Sequence, residues 1–563
     1  MINMAIDKPK YNIKTPHAAV IVFNYDDRIG SEDISGVKDP NKLDKIIIST
    51  LSCVSIETTK TKSDPVGTFR LILAPSKNWL STITSGSWCC IMMSNEPITE
   101  SDIKKVNPDK LKMIGKIETV RAEVSVDAAG ARNTLYYVTG VDWGYIFSTS
   151  LYIDNLLKED GSFNSSLALY IRKNLSSIAS LRPTREIIVA ALGMIGKNPN
   201  DDVGGKEVKI AATYDLTMPQ KLVDFLLLKN NSLSSSIDVY SGKFLSKQTV
   251  EQPDTYSNTS NSLGFIDPAT LIGKHSYWQI LLDNNNNVLN EMFCEMDFKR
   301  KSKPFILNAR TKPFSYSKTD ISKSEDRSLF QNIRFHRLNI NDVIAINIGT
   351  NWRDKINFLE LKPAIPETNI FDAFIKTRSQ NWDGKSDKSP GTFNREGFRS
   401  MIVNITHLPY YQGTDKLLKP EDYKEVVLIQ KINQWTLLLR EWFFDIHRML
   451  NGSITITGAS NYISVGDNIV FEYDLINKTP NINKQSIAKK KNPLVVAHIE
   501  NISHKFIVRT DGSKSYITQI DFVRGLLSDG ENIDNLSTLD KFASDISDEK
   551  ENNNNVLTSA QNK

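Results

Sequence analysis

Side chains that could do chemistry are scattered along this chain. The seven histidines are His17, His275, His336, His407, His447, His498 and His504. No H-E-x-x-H metal motif, G-x-x-x-x-G-K-[ST] phosphate loop, G-x-G-x-x-G turn or G-x-S-x-G elbow occurs. The carboxylate pairs Asp26/Asp27 and Asp201/Asp202 fall in loop-like stretches. Adjacency does not set the ~5–9 Å separation that two glycosidase acids need, although such acids can also come from distant positions. Cys53, Cys89, Cys90 and Cys294 form no C-x-x-C pair, which argues against a zinc site or a disulfide framework. Cys89 and Cys90 are neighbours in a strand pattern, so their thiols face opposite sides. All four read as buried apolar thiols of a protein assembled in a reducing compartment. The basic run 299–303 reads as a solvated face, and Tyr and Trp form no basic-aromatic stripe. No catalytic, cofactor-binding or metal-binding residue is expected.

His504 sits on an inward position of an alternating strand, where a hydrogen-bonded core or interface histidine is expected. That strand belongs to the stretch that organises the chain. Residues 120–143 recur at 502–522. Ile117-Glu118-Thr119-Val120 leads into Ala122, Val124 and Val126; Ile499-Glu500-Asn501-Ile502 leads into His504, Phe506 and Val508. A period of two places each set on one face of a strand. Gly130 and Asp511-Gly512 supply the turns, and glycine there takes a positive φ without a Cβ clash. The return strands are matched on their closing triplets, Val141-Asp142-Trp143 with Ile520-Asp521-Phe522. That match makes the first hairpin arm three residues longer. The preceding strand recurs too: Ser85-Gly86-Ser87-Trp88-Cys89-Cys90-Ile91 with Val465-Gly466-Asp467-Asn468-Ile469-Val470-Phe471. Two stretches in the same order imply a duplicated β-rich unit.

The chain of 563 residues is too long for one core. Its 40% hydrophobic and 24% charged residues are ordinary for a globular protein, and a net charge of +4 gives no case for nucleic acid or membrane binding. No apolar run reaches the ~18 residues of a membrane span, and the N-terminus lacks a secretory-signal layout. Strands are expected over 18–25, 46–58 and 69–73, helices over 167–178, 185–195 and 220–228, and loop over most of 232–260. An interrupted helix is expected over 277–296, and the longest amphipathic segment over 426–450, with His447 and Arg448 at its positive-favouring end. The fold class expected is α+β and β-rich, with two antiparallel β-barrels and intervening mixed helical domains. The divisions are an arm at 1–14, a first barrel at 15–150, a mixed domain at 151–330, a mixed segment at 331–449, the second barrel at 450–527 and a tail at 528–563.

Three blocks carry a resemblance. The first runs from Lys274-His275-Ser276-Tyr277-Trp278 through Glu291-Met292-Phe293 to Pro304-Phe305-Ile306-Leu307-Asn308-Ala309-Arg310 and Lys312-Pro313-Phe314. The second is 337–347. The third is Leu450-Asn451-Gly452-Ser453-Ile454 with the Val465-Gly466-Asp467 turn. Over most of 15–527 the chain resembles the central baseplate hub proteins of contractile-tailed bacteriophages, relatives of the hub part of type VI secretion spikes. The resemblance implies a non-enzymatic homotrimer, with two tail-tube-like barrels per chain forming a pseudo-six-fold ring. Such a ring adapts a six-fold tail tube to a three-fold central spike around a channel that DNA crosses without specific binding. Implied partners are the tail tube, central spike and baseplate wedge proteins and the tape measure protein. The implied location is the virion tail, assembled in the host cytoplasm. The loops 26–45, 232–270 and 380–424 exceed a minimal hub. A tail-associated cell-wall hydrolase or glycan-binding protein is the alternative.

Overall fold

The computed structural model describes residues 15–24, 45–126, 130, 132–149, 218–229, 231–233, 236–241, 290–298, 303–311, 333–363, 379–382, 397–405, 443–444, 446–459, 462–472 and 494–528, and a few positions between 276 and 282. The helices expected over 167–178 and 185–195, most of 426–450, Asp26/Asp27, Asp201/Asp202, His275, His407, the arm and the tail lie outside the described residues.

The first part of the chain forms β1 (His17–Phe23), β2 (Lys45–Ser49), β3 (Cys53–Thr61), β4 (Thr68–Leu73), β5 (Trp88–Ser94), β6 (Leu111–Val126) and β7 (Arg132–Asp142). Short helices α1 (Trp79–Thr82), α2 (Glu100–Lys104) and α3 (Tyr145–Thr149) join or follow them, and α4 (Gln220–Leu226) lies further on. Next come β8 (Ile237–Ser241), β9 (Asn290–Met296) and β10 (Phe305–Thr311), which form a three-stranded sheet in the order β8-β10-β9. β11 (Phe335–Arg337) and β12 (Val343–Gly349) precede a second small sheet of β13 (Phe358–Pro363), β14 (Ser379–Trp382) and β15 (Ser400–Ile405). The chain then adds β16 (Leu450–Ile456), β17 (Asn468–Glu472), β18 (Leu494–Val508) and β19 (Lys514–Ser528).

Thirteen strands belong to one sheet, in the order β12-β16-β19-β18-β3-β4-β7-β6-β5-β1-β2, with β17 paired to β18 and β11. All its pairings are antiparallel except β11 with β17. The protein is therefore β-rich around a large antiparallel sheet, and among the described residues no sheet closes into a barrel.

Alternation splits the side chains of this sheet between cores. On β5, Trp88, Cys90 and Met92 enter a core shared with α3, α4 and the β8-β10-β9 sheet, while Cys89, Ile91 and Met93 enter a core with β1, β2, β4 and Phe506. The two adjacent thiols do face opposite sides, and all four cysteines are buried and free. Burial raises the Cys53 thiol to about 12, so it stays an inert thiol. A third core holds Ile454, Ile469, Phe471, Ile499, Ile520 and Phe522.

Three expectations change. The strand expected over 46–58 is two strands, broken by a 3-10 turn at Thr50–Ser52. β8 forms inside the stretch expected to be loop. The helical reading of 277–296 is wrong at its end, where β9 pairs with β10. β9 is buried on both faces, with Met292 and Cys294 in one core and Phe293 in another, so its sequence loses the two-residue alternation.

Candidate assembly edge

The duplication can be checked bond by bond. Gly86 N donates to Ile117 O at 2.7 Å, and Gly466 N donates to Ile499 O at 2.9 Å. Ile117 N returns a bond to Ser87 O at 2.8 Å, and Ile499 N to Asp467 O at 2.9 Å. Both glycines have positive φ, 88° and 79°, the conformation this turn demands. Register then breaks at the same place in both hairpins: at Glu118, between Ile117 and Thr119, and at Glu500, between Ile499 and Asn501. Beyond the break Thr119 faces Thr139 and Asn501 faces Asp521, and the ladders end at Val126 with Arg132 and Val508 with Lys514.

The two arms are thus equal in length. The closing triplets match Trp143 to the wrong residue: Gly140, not Trp143, is the counterpart of Phe522. An exchange between strands accompanies this. Phe69 lies opposite Gly140 on β4 and β7, whereas Gly452 lies opposite Phe522 on β16 and β19. Each copy has one ring and one gap, with the partners swapped. A Cβ at Gly140 would sit 2.5 Å from the Phe69 ring.

The correspondence extends to the strand before. β3 pairs with β4 with a break between Cys53 and Ser55, and β12 pairs with β16 with a break between Val343 and Ala345. Ile56 and Ile346 are therefore equivalent, as are Thr58 and Ile348. Five strands repeat, β3 to β7 as β12 and β16 to β19. The copies part company beyond, since β1 runs antiparallel to β5 but β11 runs parallel to β17.

The copies are joined edge to edge. β3 pairs with the outer half of β18, from Thr61 opposite Asn501 to Ser55 opposite Ile507. Lys62 N extends the ladder to Glu500 O at 2.8 Å. Behind this joint lies a polar seam. Lys62 Nζ reaches Glu291 at 3.0 Å and Glu500 at 2.7 Å, and His498 bridges Glu291 at 3.0 Å to Asn468 at 2.8 Å. Asp467 takes Arg334 Nε at 3.0 Å and His336 Nε2 at 2.9 Å, and Arg334 also meets Glu295. Burial pushes the Asp467 carboxyl up, but the Arg334 guanidinium and His336 outweigh it and bring it down to about 2. Asp142 is held by Lys60. Burial lowers the Lys112 ammonium to about 7; its Nζ donates to Ala459 O of the other copy at 3.2 Å.

Of these contacts, Lys62 to Glu500 and Lys112 to Ala459 O tie one copy to the other, while Lys60–Asp142 lies within the first copy and Arg334 and His336 with Asp467 within the second. His504 is buried and bonded to Thr518 Oγ1 at 2.9 Å, as its inward position predicts. Burial and then Lys112 keep its imidazole well below the ordinary range, hence neutral. His447 Nδ1 bonds Phe444 O at 3.0 Å in a 3-10 turn. The buried carboxylates Asp142, Glu291 and Asp467 are each ion-paired. The cavity between Lys60, Lys112, Asp142, Glu295, Tyr462 and His504 has a volume of ≈ 20 Å³, room for about one water. No group of three metal-ligating side chains occurs among the described residues, and no helix among them is long and apolar enough to cross a membrane. None of the charged members of the seam shows a motif spacing in the sequence; only the Gly466-Asp467 turn marks one of them.

Besides the outer ends of β7 and β19, beyond the reach of β4 and β16, two strand edges of the repeated unit have no neighbour among the described residues. They are the outer half of β6, residues 119–126, and the far side of β12. They are the counterparts of the two edges that meet in the joint. Val124 and Val126 are 59% and 62% exposed, and Ile344 on β12 is 54% exposed.

Comparison with known proteins gives low identity and wide coverage. The structure is similar to the 43 kDa tail protein of prophage MuSo2 from Shewanella oneidensis, with TM-score 0.39, 10% identity, and 90% of this chain and 98% of that one covered. It is similar to a tail protein from Neisseria meningitidis, with TM-score 0.36, 9% identity, and 92% and 98% covered. An E. coli component of the type VI secretion system follows with TM-score 0.31, 6% identity, and 84% and 73% covered. No family model and no curated protein matches the chain.

Proposed function

We propose that this chain is a structural hub of a contractile phage tail baseplate. The observation that carries the proposal is the repeated five-stranded unit, with one copy already joined to the other through β3 and β18. A chain holding two like units in head-to-tail contact is half-way to a ring, because a heterologous contact repeats until rotation closes it. Three chains then present six similar units. A six-fold tail tube docks on one face and a three-fold central spike on the other, with the DNA channel between. The units act as the two tube-like barrels, completed by neighbouring chains. The remaining domains, at 151–330 and within 331–449, lie outward and meet baseplate wedge and tape measure proteins. The assembly belongs to the virion tail and forms in the host cytoplasm.

The buried, neutral or ion-paired side chains of the seam support a role without catalysis. Native mass measurement of the purified chain tests the reading. It predicts a species three times the 63.6 kDa of one chain. A particle that stays at one chain mass at micromolar concentration, in the presence of tube and spike proteins, contradicts it.

A further inference from the structure

The joint inside the chain is a template for the joint between chains. β18 meets β3 along a defined register. β6 is the counterpart of β18, with Thr119 in the place of Asn501 and the hairpin positions matching one for one from there to the turn. β12 is the counterpart of β3, with Ala345 in the place of Ser55. The edges of β6 and β12 that correspond to the joined edges are free among the described residues.

We infer that the outer half of β6 in one copy pairs antiparallel with β12 of a second copy of this chain, with Val124 opposite Ile346 and Ala122 opposite Ile348. The inference rests on the trimeric reading for the number three but assigns the contact from this chain's own pairing. Translating the joined register places 119–125 against 345–351. The apolar face that results carries Val120, Ala122 and Val124 from one strand and Ile346 and Ile348 from the other. In the joint, the same face carries Ile502, His504 and Phe506 against Thr58 and Ile56. No like charges meet: Arg121 falls opposite Gly349 and Glu123 opposite Asn347. An unpaired apolar edge invites pairing with another chain, and natural proteins blunt or cover such edges. Here Glu118, Arg121 and Glu123 leave the apolar face intact. Each chain offers one edge of each kind, so three copies can satisfy all of them with none left over.

The second copy is favoured over an unrelated partner because both edges belong to repeats that already fit each other within the chain. Register also makes the assignment testable to the residue. All four native cysteines are buried and do not compete in thiol chemistry. The full chain carrying Val124→Cys and Ile346→Cys is oxidised under mild conditions and run on a denaturing gel. A reducible band at the mass of three linked chains is expected. Val124→Cys with Ile348→Cys, displaced by about 7 Å along the strand, is expected to give at least tenfold less. Mixing the two single variants is expected to give linked pairs only, which shows that the bond joins different copies. Hydrogen exchange on the unmodified protein serves as the check free of substitutions. Amides in 119–125 should be protected as strongly as those in 501–507. A protein that is trimeric by native mass yet gives no register-specific band and unprotected 119–125 amides overturns this contact and leaves the trimer standing. A protein that is monomeric under all conditions overturns both.

Discussion

Phe506 and Val124 occupy the same position on two copies of one hairpin, yet Phe506 is 0% exposed and Val124 is 59% exposed. The hairpins share their bulge, their turn glycine and their length. What differs is the neighbour, since β3 covers the outer half of β18 and nothing described covers the outer half of β6. Burial at these positions is therefore a property of the joint, not of the strand. The side chains follow. The covered edge carries Phe506 and His504, large enough to fill a core and to bond Thr518, whereas the open edge carries Val124 and Ala122. Small apolar groups limit exposed area while keeping a face that another strand can cover.

The contrast can be broken most sharply by truncation. Phe506→Ala should cost about 3–5 kcal/mol of folding stability through cavity formation. Val124→Ala should change the folding stability of the chain by less than about 0.5 kcal/mol, as an exposed substitution does. Denaturant midpoints of the two variants, measured at concentrations where wild type is monomeric, check the difference. Equal losses would mean that the edges do not differ as described.

The turn preceding each hairpin gives a second, slightly smaller contrast. Ser87 and Asp467 are equivalent, but the Ser87 hydroxyl donates to Asn24 Oδ1, whereas the Asp467 carboxylate takes Arg334 and His336. Asp467→Ala should cost about 3 kcal/mol, because it removes one partner of a buried ion pair. Ser87→Ala should cost about 1 kcal/mol, the worth of an ordinary hydrogen bond. Thermal melts of both variants test the ratio. Acid sharpens the same comparison. The Asp467 carboxyl is lowered from its ordinary 3.8 to about 2 in the folded protein, so the unfolded chain takes up the proton first. Its contribution is present above about pH 4 and drains away as pH falls through about 2, a change of about 2 kcal/mol. Asp467→Asn should flatten that part of the acid-unfolding curve, and Ser87→Ala should not.

The smallest effect on folding carries the largest effect on assembly. Val124→Asp puts a charge on the open edge and should leave the melting temperature of the separate chain within a few degrees. It should weaken association at least tenfold, read by native mass across a dilution series. The same substitution at Phe506 should prevent folding altogether.

Parts of this arrangement are legible in the residues and parts are not, for physical reasons. Gly86 and Gly466 mark the repeated turn because a positive φ restricts the choice of residue, and their offset from the following strands is seen at once. Ile117-Glu118 and Ile499-Glu500 mark the repeated bulge. The return strands misalign by three residues because Val-Asp-Trp and Ile-Asp-Phe share a local pattern of apolar, Asp, aromatic, although an odd shift exchanges the two faces of the strand. β12 is hidden as the counterpart of β3. About a hundred residues separate it from β16, and of the aligned positions only Ile56 and Ile346 are identical. β9 reads as helix because both its faces are buried. The seam of Lys62, Glu291, Arg334 and Asp467 is drawn from four distant stretches, and no local spacing announces it.

One chain carries the five-stranded unit twice, and the proposed ring of three chains would set six of them around a hole. An end-on averaged image of the purified assembly tests this most directly. A three-fold particle with six similar lobes around a central channel is expected. A single-chain particle, or a ring whose lobes do not number six, would contradict it.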